Sequence, residues 1–282
     1  MNYSDLEKIE MQLEKYNLME EIPNISKWLV KLNKKQIDNL LSLNLGNLGK
    51  LENYKYILVN LGFLNKENYL DVVNKLINNN SEDCISAIIE LLLDNNFIDS
   101  KYYNEDIEVL LDDGKCFNIE ELCTLARSGK SISSNYHLND MKLIATTKQI
   151  DKLKILVNLA CNNVSLNGRY HKNDMETIFN VGEIYKAEAV AKLACSKNSV
   201  NSIHHKHDIK LILTSSEEKV SYLVDVACNQ YSLNHKEHNN DMKLIYIAQD
   251  NKFEEYLKKL SLSIVSLSSS FHNEHMKLIF QT

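Results

Sequence analysis

Apolar residues in the second half of the chain fall into short stripes that return at a nearly constant interval. The segments Asp140-Met-Lys-Leu-Ile144, Asp174-Met-Glu-Thr-Ile178, Asp208-Ile-Lys-Leu-Ile212, Asp241-Met-Lys-Leu-Ile245 and His275-Met-Lys-Leu-Ile279 are spaced 34, 34, 33 and 34 residues apart. Stepping back from Asp140 at similar intervals reaches Asp106, Asp71, Asp38 and Asp5, with looser matches around them. Within a unit the apolar positions follow the Asp by one, three and four residues, as at Met141, Leu143 and Ile144. That spacing lines one face of a helix. A second stripe, Leu153, Leu156, Val157 and Ala160, predicts a second helix in the same unit. A small residue recurs in this second helix at Ala126, Ala160, Ala194, Ala227 and Ser261, where it lets neighbouring helices approach closely. Connectors rich in Ser and Asn, such as residues 165–171, lead from one unit to the next.

Two short amphipathic helices cannot bury their stripes alone, so units of this kind stack on one another. The expected fold is all-α: an α-solenoid of about eight and a half two-helix repeats with a ~34-residue period. The array is expected to run through residues 1–282 as one body, looser and acidic over 1–126 and regular over 127–282. Its period is that of tetratricopeptide repeats, without their consensus. That consensus needs Trp, Leu-Gly, Tyr and Pro at fixed places, and here the only Trp is Trp28 and the only Pro is Pro23. With 7 Gly and 1 Pro among 282 residues, turn-rich β folds and Gly-cradled nucleotide sites are hard to build.

Charge changes the picture by half. The net charge of -6 divides between residues 1–126, with 12 Lys against 22 acidic residues, and residues 127–282, with 20 Lys+Arg against 16 acidic residues. The acidic half favours a basic partner. The N-terminus has no apolar signal-peptide core, and no apolar run approaches the roughly 18 residues a membrane helix needs. Six Cys without a CxxC pair do not read as a disulfide framework, and Cys161, Cys195 and Cys228 share one repeat position. Buried reduced thiols and a cytoplasmic location are expected, with no membrane contact.

Candidate chemistry sits on two further ladders. His137, His171, His205, His238 and His272 recur with the repeat, four of them three residues before the Asp. They are expected to be structural, bonding the i+3 carboxylate or the adjacent connector. Zinc and pH sensing are the alternatives: His204, His205 and His207 cluster, and His235/His238 and His272/His275 form HxxH pairs. Packed helices lie about 8–10 Å apart. One ion therefore cannot bridge two rungs of the ladder without the extra histidines, and neither a metal nor a cofactor is expected. Lys152, Lys186, Lys219 and Lys252 open the second helix of successive units and could follow a phosphate backbone. Only two Arg, Arg127 and Arg169, are present to support that reading.

No GxSxG, HExxH or phosphate-loop spacing occurs, and an elongated array assembles catalytic groups poorly, so an enzyme is not expected. The expected function is a non-catalytic scaffold that binds a protein or peptide on its concave face. Selectivity is assigned to positions that vary between units: Thr147, Lys148, Asn180, Glu183, Ser215, Glu217, Tyr246 and Gln249. Nucleic-acid binding is the alternative. Self-association is the second, through the apolar stripe Met276-Lys-Leu-Ile-Phe280, which no further helix in this sequence covers.

Overall fold

The structure is a computed structural model. It describes residues 7, 8, 11 and 14, and residues 87–281 apart from 89, 93, 113–117, 249 and 250; the side chains of 251, 252 and 281 lie outside the description. Every regular element among the described residues is a helix. None is long and apolar enough to cross a membrane. The chain divides into two compact units, Met1–Thr146 and Thr147–Thr282.

The first unit contains α1 (Asn95–Ile98), α2 (Tyr103–Leu110), α3 (Ile119–Ala126), α4 (Gly129–Ile132) and α5 (His137–Thr146). Helices α2 and α3 both pack on α5. Ile107, Leu122, Leu125, Met141 and Ile144 are buried among them. The second unit contains α6 (Ile150–Ala160), α7 (Asn163–Leu166), α8 (His171–Asn180), α9 (Ile184–Cys195), α10 (Lys197–Val200) and α11 (His205–Thr214). It continues through α12 (Glu217–Ala227), α13 (Gln230–Leu233), α14 (His238–Ile247), α15 (Asn251–Leu262), α16 (Ile264–Leu267) and α17 (His272–Gln281).

Two sequence-based expectations need correction. The first helix of each triplet opens at the His rather than at the Asp, so the Asp sits inside the first turn. The connector is also not a plain loop, because it carries a one-turn helix. The side chains of Asn162, Ser196, Asn229 and Ser263 each accept a backbone N–H two or three residues on. Such N-caps satisfy donors that a helix start leaves free. The same Ser and Asn content that reads as loop is what starts the extra turn.

Within the second unit the longer second helices pack in succession, α6 on α9, α9 on α12 and α12 on α15. The one-turn helices form a parallel series, α7, α10, α13 and α16. Ala160, Ala194, Ala227 and Ser261 are fully buried, as their recurrence predicts. Around them Leu156, Ile178, Leu193, Ile212, Leu223, Ile245 and Met276 are closed to solvent. Each of the large side chains contributes roughly 1.5–3 kcal/mol by leaving water. The thiols depart from expectation: Cys123 is buried, whereas Cys161, Cys195 and Cys228 are half-buried and free. Burial still raises the Cys195 and Cys228 thiols above their ordinary value and keeps them protonated.

Candidate functional site

The histidine ladder forms a buried hydrogen-bonded seam. His137, His171, His205, His238 and His272 are all at most 2% exposed. One ring nitrogen, Nδ1, meets the hydroxyl of a Ser six residues earlier: Ser131, Ser165, Ser199, Ser232 and Ser266, at 2.7–2.9 Å. The other, Nε2, reaches the Asp of the preceding repeat. His137 meets Asp106 at 2.9 Å, His205 meets Asp174 at 3.1 Å, His238 meets Asp208 at 3.1 Å and His272 meets Asp241 at 2.9 Å. The i+3 carboxylate is therefore not the partner. Helical geometry aims the Asp of one repeat toward the His about 31 residues later, and the seam ties successive repeats together.

These groups are those of an acyl-transfer triad, but in four of the five rungs the hydroxyl is enclosed. A nucleophilic Ser must reach a substrate carbonyl, and Ser131, Ser165, Ser199 and Ser232 are at most 1% exposed. A neutral imidazole donates its Nε2–H to the carboxylate, and its Nδ1 then accepts the Ser O–H. Burial pushes the Asp106 and Asp241 carboxyls above their ordinary value, against the lowering effect of the His partner. The Ser rung escaped the sequence reading, although its signal, a Ser six residues before each ladder His, repeats at 34, 34, 33 and 34.

An aromatic ring from the residue before the first helix covers several of these imidazoles. Tyr102 stacks on His137 and Tyr170 on His205, both with ring centroids 4.8 Å apart, and His204 lies 4.8 Å from His238. At the last rung the position held by these rings is Glu237, and His235 instead meets His272 edge-on at 5.2 Å.

The lysine ladder holds helix ends. Lys152 is 6% exposed and donates to the Phe179 carbonyl at 3.0 Å. Lys219 donates to the Tyr246 carbonyl at 2.7 Å and to the Ala248 carbonyl, and lies 3.5 Å from the buried Glu254. Both place a cation at the C-terminus of a first helix in the next repeat, where the helix dipole is negative. Asn118, one period before Lys152, does the same without charge by donating to the Ile144 carbonyl at 2.7 Å. Lys186, 9% exposed, pairs with Glu183 at 3.3 Å. Lys252 lies outside the described side chains.

Of the positions assigned to selectivity, Lys148, Asn180, Glu183 and Glu217 are exposed and Tyr246 is half-buried. Thr147 and Ser215 are each only 5% exposed and turn inward, which corrects the expectation that they face a partner. The Ser215 hydroxyl donates to the Ile212 carbonyl at 2.8 Å, closing the helix end. Gln249 lies outside the described residues. Asn180 lines a groove of about 560 Å³ with Asn173, Glu176 and Thr177. A larger cleft of about 780 Å³ opens between α10 and α13 and the turns after them, lined by Lys197, Asn201, Ile203, Gln230, Asn234 and Lys236 among others.

Comparison with protein-family models, with curated proteins and with solved structures finds no match to this chain.

Proposed function

We propose that the chain is a non-catalytic α-solenoid of ~34-residue helical repeats that binds a protein or peptide segment. The observation that carries this reading is the cleft between α10 and α13. The recurring His, Asp and Lys are engaged in the seam and at the helix ends, whereas this cleft also presents residues that differ from one repeat to the next, Lys197 against Gln230 and Ile203 against Lys236. Its amides can pair with a peptide backbone, the exposed Ile203 offers apolar contact, and Lys197 and Lys236 attract carboxylates. The favoured ligand of this cleft is therefore an acidic stretch of polypeptide. A basic partner would belong to the acidic residues 1–126, most of which lie outside the described residues.

The phosphate-backbone alternative gains no support from Lys152 and Lys219, whose ammonium groups already hold backbone carbonyls. Affinity capture with the full chain, reading out both proteins and nucleic acids, tests the proposal beside a Lys197→Glu/Lys236→Glu variant. A captured protein that the variant loses supports it. Capture of nucleic acid released by salt, or of proteins indifferent to the variant, overturns it.

A further inference from the structure

The last rung of the seam differs from the others in two ways, and the differences coincide. In the rungs at Asp106, Asp174 and Asp208, the His Nε2 lies within 2.9–3.2 Å of both carboxylate oxygens. At Asp241 only Oδ2 is engaged, by His272 at 2.9 Å. Its Oδ1 is buried without a hydrogen-bond partner, although the residue is 0% exposed. A buried carboxylate oxygen left unpaired carries the full cost of leaving water. The second difference is His235. The equivalent position holds Ser134, Gly168, Ser202 and Ser269 in other repeats. A ligand atom from His235, one from Asp241 and one from His272 lie within 4.8 Å of one another, and among the described residues only this group does so.

We propose that His235, Asp241 and His272 form a binding site for a single divalent transition-metal ion of the zinc class. Two imidazoles and a carboxylate are the donor set such ions take. On an ion with bonds of about 2.0–2.2 Å, tetrahedral ligand atoms sit about 3.3 Å apart. The three ligand atoms, within 4.8 Å of one another, have to close to that spacing. The ion removes the cost at Oδ1 by giving that carboxylate a cation.

The supporting shell is already in place. Ser266 Oγ lies 2.8 Å from His272 Nδ1. Metal binding through Nε2 needs the other neutral tautomer, in which the single ring proton sits on Nδ1 and is donated to the serine, whose hydroxyl can accept as readily as donate. A ligating His almost always has such an outer partner. His235 is the mobile member: it is half-buried, and its Nδ1 accepts only a long 3.3 Å bond from the Glu237 N–H. It also lines the cleft between α10 and α13, which gives an ion a way in and leaves a coordination position toward solvent. The cluster meets the condition set by the spacing of successive rungs, which cannot share an ion without one of the extra histidines: the third ligand, His235, comes from the connector rather than from the ladder.

The test is calorimetric titration of chelator-treated full chain with Zn²⁺, comparing the parent with His235→Ser and His207→Ala. His235→Ser installs the residue that three other repeats carry and leaves the Asp241–His272 bond intact, so the fold is retained. The proposal expects one zinc per chain, an affinity at least tenfold weaker in His235→Ser, and no change in His207→Ala. Circular dichroism identical to the parent confirms that the loss is local. Absence of stoichiometric binding, equal affinity in His235→Ser, or loss in His207→Ala each overturns it.

Discussion

Two rows of side chains share one period and meet different fates. The histidines are buried, and His137, His205, His238 and His272 are each flanked by a Ser and an Asp that are themselves buried. The lysines bury their stems and bring their charge to the rim, where Lys219 stays 18% exposed at its side chain. The first row cannot lose a member without stranding a buried group. The second row is mixed: Lys219 also holds the buried Glu254, whereas the partner of Lys186 is half exposed. Periodicity in the sequence marks both rows equally, and only burial separates the seam that holds repeats together from the clamp that trims helix ends.

The largest expected effect tests that difference directly. His238→Ala leaves the buried Asp208 carboxylate without its donor and opens a cavity, and should destabilise the chain by about 3–5 kcal/mol. Removing only the outer member, Ser232→Ala, deprives Nδ1 of its partner and should cost about 1–2 kcal/mol. Denaturant unfolding of the two variants checks both, and equal costs would mean that the Ser, not the Asp, anchors the imidazole.

On the other row, Lys219→Met keeps the aliphatic stem and removes the charge from the end of α14. The expected cost is about 1 kcal/mol, from a lost charge-assisted bond and a helix-dipole contact. Glu254, 1% exposed and held by Lys219, is left unpaired and adds about 1–3 kcal/mol to that cost. Lys186→Met should cost about 0.5 kcal/mol or less, since its partner Glu183 is exposed. Melting both beside His238→Ala sharpens the contrast. If Lys219→Met matched the histidine variant, the two rows would be one load path.

The stripes at Met141 and Ile144 and the small residues at Ala160, Ala194 and Ala227 could be read from the sequence because burial on a helix face depends on local spacing alone. The partner of each histidine could not. Asp140 is three residues from His137 and is an obvious candidate, yet Asp106 takes the bond because the packing of α2 on α5 brings it there. Likewise the rise of Asn162, Asn229 and Ser263 from connector to N-cap depends on where the next helix starts. His235 stood out only as one half of an HxxH pair with His238, whereas the fold pairs it with His272. Contacts one period apart are set by how the helices pack on one another, which no local pattern encodes.

The smallest expected effect is a pH dependence at Asp106, where opposing influences partly cancel. Burial raises its carboxyl, the His137 bond and charge lower it, and neighbouring Glu105 raises it. The net shift is upward, so the folded chain binds a proton at Asp106 more tightly than the unfolded chain does. This contribution to stability is complete below the unfolded carboxyl value of about 3.9 and is lost as pH rises through the elevated folded value. The sense is opposite to that of an exposed ion-paired carboxylate such as Glu255, which Lys259 holds below its ordinary value. Asp106→Asn keeps an acceptor for the His137 Nε2–H and carries no charge at any pH. The stability of the parent relative to Asp106→Asn should therefore fall as pH rises from about 4 toward neutrality. Denaturant midpoints of the two chains at several pH values measure it. A relative stability that rises over this range would mean that the His137 bond, not burial, governs the carboxyl, and that the seam is held by charge rather than by enclosure.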